Sequence, residues 1–290
     1  MIDLHTHSTA SDGSLSPRSI IELANKIGLK ALALTDHDTV AGMDEAIDAA
    51  TGTDLILIPG VELSAKNEKG SLHIVGLHID HENPRLASGL QRVLDMRNER
   101  NPRIAKKLGE LGMHVSLEDA TEFAGGEVVG RPHFARAMVD RGYAKDPKDA
   151  FTRFLGKKGA AYVFKERLDP AECIDLILEA GGVPILAHPD QTGFAGEDLD
   201  AFVGQLVDMG LKGIEVFCSS YKSHLTTQYT RLARKYGLVR SGGTDFHGAP
   251  KPDIKLGRGF GSLYVPDELL EPIALASTGT CGNRTHPARY

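Results

Sequence analysis

Ile2-Asp3-Leu4-His5-Thr6-His7 opens the chain, and Gly243-Thr244-Asp245-Phe246-His247-Gly248 stands near its other end. Along a β-strand, residues i and i+2 share a face, so Asp3, His5 and His7 point one way while Ile2, Leu4 and Thr6 point the other. Two imidazoles can then reach one ion. Further imidazoles and carboxylates stand at or just after the ends of apolar runs: Asp12, His37, Glu62, His73, His188, Asp245 and His247. Ligands drawn from the first run, the last and most of those between can meet only if the sheet closes into a ring. The pattern predicts a multinuclear metallohydrolase on an α/β barrel.

Between these two ends, strand-like runs at 2–7, 31–35, 55–58, 72–79, 183–187, 213–217 and 238–242 alternate with longer helical patterns, which predicts βαβ units and a mostly parallel sheet. Ser16-Pro17 opens the first helix with a capping hydroxyl and a proline, Ile20, Ile21, Leu23, Ala24 and Ile27 give it an apolar face, and Gly28 ends it. Alternation alone fits an open doubly wound sheet as well as a barrel. In closed parallel barrels, however, active sites form at the carboxyl ends of the strands, where Thr35-Asp36-His37 and Ala187-His188-Pro189 fall. Residues 88–170 break the rhythm with helical patterns at 90–111, 118–124, 132–141 and 148–155 and no convincing strand. They are expected to form an inserted helical cap, with 1–87 and 171–276 as the barrel and 277–290 as a flexible tail.

The chain has 290 residues, 41% hydrophobic and 25% charged, enough to bury a sizeable core. Its formal charge of −6 argues against duplex DNA as a partner but allows a local basic pocket for one phosphate. No apolar stretch is long enough for a membrane span, and the strand pattern begins too soon after Met1 for a secretory leader, so a cytoplasmic protein is expected. Cys173, Cys218 and Cys281 are too few and scattered for a disulfide framework or a CxxC zinc site.

One HxH pair is weak evidence among twelve histidines, but the joint pattern is specific. His5-Thr6-His7-Ser8 with Ser11-Asp12-Gly13, Thr35-Asp36-His37-Asp38, Pro59-Gly60-Val61-Glu62, Leu72-His73-Ile74-Val75-Gly76, Ala187-His188-Pro189 and Gly243-Thr244-Asp245-Phe246-His247-Gly248 follow one another along nearly the whole chain. In that order they resemble the metal motifs of the polymerase and histidinol phosphatase (PHP) family. The resemblance implies a distorted (β/α)7 TIM-like barrel holding three divalent ions. By it, His5, His7, Glu62 and Asp245 hold one ion, Asp12, His37 and His247 a second, and Glu62, His73 and His188 a third, Glu62 bridging two. Donors without thiolate suit manganese, zinc or iron. Paired ions can lower the pKa of a shared water to roughly 7 and clamp a phosphoryl oxygen.

Within the insert, Gly130-Arg131-Pro132-His133-Phe134-Ala135 and Ala161-Tyr162-Val163-Phe164-Lys165 resemble a PHP subgroup of phosphatases acting on nucleoside mono- and bisphosphates. Arg131, His133 and Lys165 are then the substrate-clamp candidates, a planar fork, a nearby donor and a point charge. Phe164 stands where that subgroup usually has proline, which reshapes the lip of the pocket. Arg97, Arg100, Arg103, Lys106 and Lys107 have helical spacing and read as a solvated face; if any reaches substrate, it is Arg97 or Arg100. His224 is the candidate proton donor to the leaving oxygen. Asp3, Asp36 and Asp38 are expected to fix imidazole tautomers from behind.

The expected activity is hydrolysis of a small phosphate monoester, a nucleoside 3',5'-bisphosphate or 5'-monophosphate, by a metal-bridging hydroxide, with His5, His7, Glu62 and Asp245 at its centre. Histidinol phosphatase or 5'-3' exonuclease action on the 5' ends of short RNA would use the same metal core. An amidohydrolase would need a bridging lysine or carboxylate that the sequence does not place, and a non-catalytic metal-binding regulatory module would leave the phosphate clamp without a purpose.

Overall fold

A computed structural model describes residues 1–126, 128–164 and 166–278; Lys165, Cys281, His286 and most of the expected tail lie outside them. Seven strands form one sheet in chain order: β1 (Ile2–Asp3), β2 (Ala31–Leu34), β3 (Ile56–Ala65), β4 (Leu72–Leu77), β5 (Val183–Leu186), β6 (Gly213–Cys218) and β7 (Val239–Gly243). The sheet closes where the chain's two ends meet. Leu4 N donates to Gly242 O at 3.1 Å, Asp245 N to His5 O at 2.9 Å and His7 N to Phe246 O at 2.9 Å. The expected barrel is therefore present, and β1 is shorter than the 2–7 run because its later residues pair only intermittently.

The sheet is less uniformly parallel than expected. β4 runs antiparallel to both β3 and β5. Pro59-Gly60, which looks like a break, instead lies inside β3, where pairing passes from parallel with β2 at Leu34↔Pro59 to antiparallel with β4 at Gly60↔Leu77. Proline lacks an N–H and is tolerated where a ladder changes partner. The reversal explains the place of His73. It stands near the start of β4, yet the start of an antiparallel strand lies on the rim where parallel strands end.

The interior of the ring is a cluster reached by alternate residues of the strands, including Ile2, Leu4, Ala31, Ala33, Ile58, Val75, Leu77, Val183 and Ile185, closed below by Val265, Leu269, Leu270 and Ile273. The opposite strand faces bury against helices. α1 (Pro17–Lys26) and α2 (Met43–Ala50) cover Leu32 and Leu34. Ser16 Oγ accepts from Ser19 N to cap α1, and Gly28 at φ 72° follows its end, as the sequence predicts. Between β4 and β5 run α3 (Pro84–Glu110), α4 (Leu117–Thr121), α5 (Arg131–Asp140), α6 (Pro147–Ala150), a π-helical turn Phe151–Leu155 and α7 (Pro170–Glu179); α8 (Gly196–Asp208), α9 (Ser223–Tyr236) and α10 (Leu270–Ala276) are the remaining α-helices among the described residues. Residue 88 falls inside α3. Leu86, Leu90 and Val93 of that helix pack on the barrel, whereas Ile104 and Leu108 join a second core with Met113, Phe134 and Met138. No helix among the described residues is long and apolar enough to cross a membrane.

Gly243 sets the closure. A Cβ there would lie 2.4 Å from His5 N, 2.5 Å from His5 Cβ and 2.9 Å from Asp3 Oδ1. Backbone cannot give way cheaply, so Gly243→Ala is expected to lower unfolding stability by roughly 1–3 kcal/mol, read from urea denaturation of the metal-free protein.

Candidate metal centre and phosphate pocket

Strand ends and the turns just beyond them deliver the predicted ligands to one rim. His5 and His7 follow β1, His37 follows β2, His188 follows β5, and Asp245 and His247 follow β7, while Glu62 and His73 belong to β3 and β4. Two of these residues have left-handed backbone, His188 at φ 29° and Asp245 at φ 55°. For non-glycine residues that conformation is strained, and such strain gathers where surrounding structure holds a side chain for function. Asp245 stays in place through N donating to His5 O, and His188 through N donating to Glu215 Oε2 at 2.8 Å.

Glu62 is at the middle and fully buried. Its Oε1 lies 2.9 Å from both His73 Nδ1 and His188 Nε2. Its Oε2 lies 2.9 Å from His37 Nδ1 and 3.3 Å from both His5 Nε2 and His7 Nε2. His7 Nε2 is also 3.3 Å from Asp245 Oδ1, and His247 Nε2 is 3.2 Å from Asp12 Oδ1. Overlapping groups result: His7, Asp12, His37 and His247; His5, His7 and Asp245; His5, Glu62 and His188; His37, Glu62 and His73. All nine predicted metal ligands fall in these groups.

The donors fit metal. His5 Nε2, His7 Nε2, Asp12 Oδ1, His37 Nδ1 and Glu62 Oε2 are buried and face one another or His247 at 2.9–3.3 Å, yet none is aligned for a hydrogen bond. Leaving such atoms unpaired is costly unless a ligand completes them. Charges have adapted to one another. Burial would raise Glu62, but His37, His73 and His5 outweigh it and hold the carboxyl well below its usual range. Burial would lower His37, but Glu62 and Asp12 lift it to about 9, whereas burial wins at His73 and brings it to about 4.

The acids expected behind the imidazoles act differently. Asp36 accepts from Ser8 N at 2.7 Å and from the Ser8 and Ser11 hydroxyls at 2.6 Å, fixing the loop that carries Asp12. Asp38 accepts from Ser64 N at 2.8 Å and pairs with Arg97. Asp3 accepts from Thr244 N at 2.8 Å and Gly257 N at 2.9 Å. These carboxylates organise backbone. An acid does sit behind an imidazole, but it is Glu215, whose Oε1 is 3.1 Å from His5 Nδ1 at an irregularity in β6. Lys251 Nζ, 2.5 Å from Asp245 Oδ2, is a further neighbour that no sequence motif announced.

Beside the ligands opens a cavity of about 190 Å³ whose wall passes from Asp12, His37 and His73 to Arg97, Arg100, Arg131, His133 and Arg167. Arg97 and Arg100, read from sequence as a solvated face, are buried, while Arg103, Lys106 and Lys107 on the same helix are exposed. Spacing of three residues puts both arginines on one face, yet only packing shows that the face turns inward. Burial together with Arg97, Arg131 and Arg167 pushes the Arg100 guanidinium down to about 9. Asp38 offsets only one of these four charges, and the remaining excess of cations calls for an anion. Arg131 donates to Leu155 O at 3.1 Å and lies over the Tyr162 ring at 5.5 Å. His133 Nδ1 accepts from Gly130 N at 3.0 Å, which caps α5 and leaves the ring proton on Nε2. His224 does not join this set. It is exposed in the first turn of α9 and lines neither this cavity nor the two that adjoin it, so the proton-donor role expected for it lacks a geometric basis.

A closed seven-stranded barrel with overlapping imidazole and carboxylate groups on its rim defines a metal-dependent hydrolase. A PHP domain profile matches residues 3–152. The chain is 37% identical over 266 residues to the 5'-3' exoribonuclease Rnm of Escherichia coli, covering 91% of this chain and 89% of that protein. It is 34% identical over 247 residues to the 3',5'-nucleoside bisphosphate phosphatase of Chromobacterium violaceum, covering 85% and 87%. Among solved structures, a Bifidobacterium adolescentis protein assigned as a metal-dependent phosphoesterase superposes with a TM-score of 0.86 at 29% identity, over 97% of this chain and 98% of that one. An amidohydrolase from Chromobacterium violaceum, solved with sulfate and no metal, gives 0.81 at 34% identity, over 85% and 87%. The chain belongs to the PHP family and is a metal-dependent phosphoesterase.

Proposed function

We propose that the chain hydrolyses phosphate monoesters of small nucleotides, with a nucleoside 3',5'-bisphosphate or 5'-monophosphate as substrate. The observation that carries this reading is one cavity joining a metal-ready cluster to four arginines. Such a cavity suits a molecule with two anionic ends. His5, His7, Glu62 and Asp245 would hold one divalent ion, Asp12, His37 and His247 a second, and Glu62, His73 and His188 a third, as manganese, zinc or iron. Bound there, such ions supply Lewis acidity and lower the pKa of water to roughly 7. Arg97, Arg100, Arg131 and Arg167 fix the other phosphate, and His133 lines the same space. The helices of 88–170 act as a cap that excludes water from these charges.

A second reading, 5'-3' exonuclease action on short RNA, is favoured by the likeness to the Escherichia coli exoribonuclease. Phosphate release from a panel of nucleotides, histidinol phosphate and 5'-phosphorylated RNA, with each metal in turn, decides between them. Chelation is expected to stop all hydrolysis and metal to restore it. His37 is protonated below about 9 in the metal-free protein, so metal must displace that proton. Manganese affinity is therefore expected to rise as pH climbs from 6.5 towards about 9, with proton release on binding measurable by calorimetry in two buffers. Affinity that falls with pH over this window contradicts the ligand assignment.

A further inference from the structure

Beyond the arginines, and sharing Arg131 and Arg167 with their cavity, lies a groove of about 650 Å³, larger than the pocket it adjoins. Lys66, Lys69 and Lys157 line it with Tyr162 and Phe164, and no acidic side chain among the described residues does. A chain with a net charge of −6 thus gathers five cations along one wall, more than a single phosphate needs. Phe164 is 64% exposed and offers a ring face to this groove. The lysines are not locked. Lys66 meets Asp169 at 3.6 Å and Lys69 meets Asp198 at 3.2 Å, all four exposed, and Lys157 donates to Glu68 O. Exposed pairs of this kind hold weakly and can exchange onto a phosphate.

We propose that this groove binds the adjoining nucleotide of a single-stranded oligonucleotide, its base stacked on Phe164 and its phosphate on Lys69 and Lys157. The proposal rests on the reading that the arginine pocket holds a phosphate. Cations that follow a backbone, interleaved with aromatic faces for bases, are how proteins hold single strands without reading sequence. The groove then decides whether the enzyme prefers a strand to a mononucleotide.

The test uses two readouts. A fluorescein-labelled, 5'-phosphorylated RNA tetranucleotide is titrated into metal-free protein with chelator, and hydrolysis of adenosine 3',5'-bisphosphate is followed in the manganese-loaded protein. Phe164→Ala, and separately the Lys69→Ala/Lys157→Ala pair, are expected to weaken tetranucleotide binding about tenfold, and in the lysine pair bisphosphate turnover stays within about twofold. The lysine pair should also make binding less sensitive to salt, the slope of log K against log salt falling in magnitude by about 0.7 for each phosphate no longer neutralised. Unchanged tetranucleotide affinity overturns the proposal. Equal losses for both substrates overturn it too, since the groove would then belong to the first nucleotide. Should wild-type protein hydrolyse no nucleotide at all, the functional reading fails, and the binding titration still judges the groove.

Discussion

Alanine at both His5 and His7 is expected to abolish hydrolysis, lowering kcat/KM by at least about 10³-fold, equivalent to about 4 kcal/mol of transition-state stabilisation. Both imidazoles place Nε2 3.3 Å from the same Glu62 oxygen, so the double variant removes two of the donors that converge there. What remains is worse than incomplete. Glu62 and Asp245 are kept ionised in part by these histidines, and without them two buried carboxylates face each other with less compensating charge. The fold is expected to survive, because the bonds that close the ring at Leu4, His5 and His7 are made by backbone. Phosphate release, metal content by elemental analysis and far-ultraviolet circular dichroism test the three parts separately. Retained activity with a native spectrum refutes the metal assignment.

Arg131→Ala is expected to raise KM for a nucleoside bisphosphate by about 10²-fold while kcat changes little, the signature of weakened ground-state binding. Stability gives a second reading. Arg131 is one of the charges that, with burial, push Arg100 down to about 9, so deleting it relieves repulsion within the pocket. The free protein should be at least as stable as wild type, and the stabilisation that inorganic phosphate gives to wild type should shrink. A merely structural arginine would show the opposite, lower stability with KM unmoved.

The candidate metal ligands are legible in the sequence because each stands beside a hydrophobic run, and a strand's direction limits where its end can go. The arginine pocket is legible only in part. Arg131 sits at the start of a helix signalled by Gly130 and Pro132, whereas Arg97 and Arg100 share their helix with exposed Arg103, Lys106 and Lys107, and periodicity cannot name the buried face. Glu215 reads as one polar residue in a strand, and its bonds with His5 Nδ1 and His188 N join positions 210 and 27 residues away. Asp36 and Asp38 adjoin His37 in sequence, but their oxygens turn to the hydroxyls and N–H groups of the Ser8–Ser11 loop and of Ser64 in β3.

The strands, their alternation with helices and the candidate metal donors at their ends can be read from the chain alone, because these follow from local periodicity and the donor chemistry of single residues. The reversed direction of β4, the inward turn of the α3 arginines and the groove beside them emerge only on packing. They depend on which surfaces exclude water from one another, and that is a property of pairs of segments, written in neither alone.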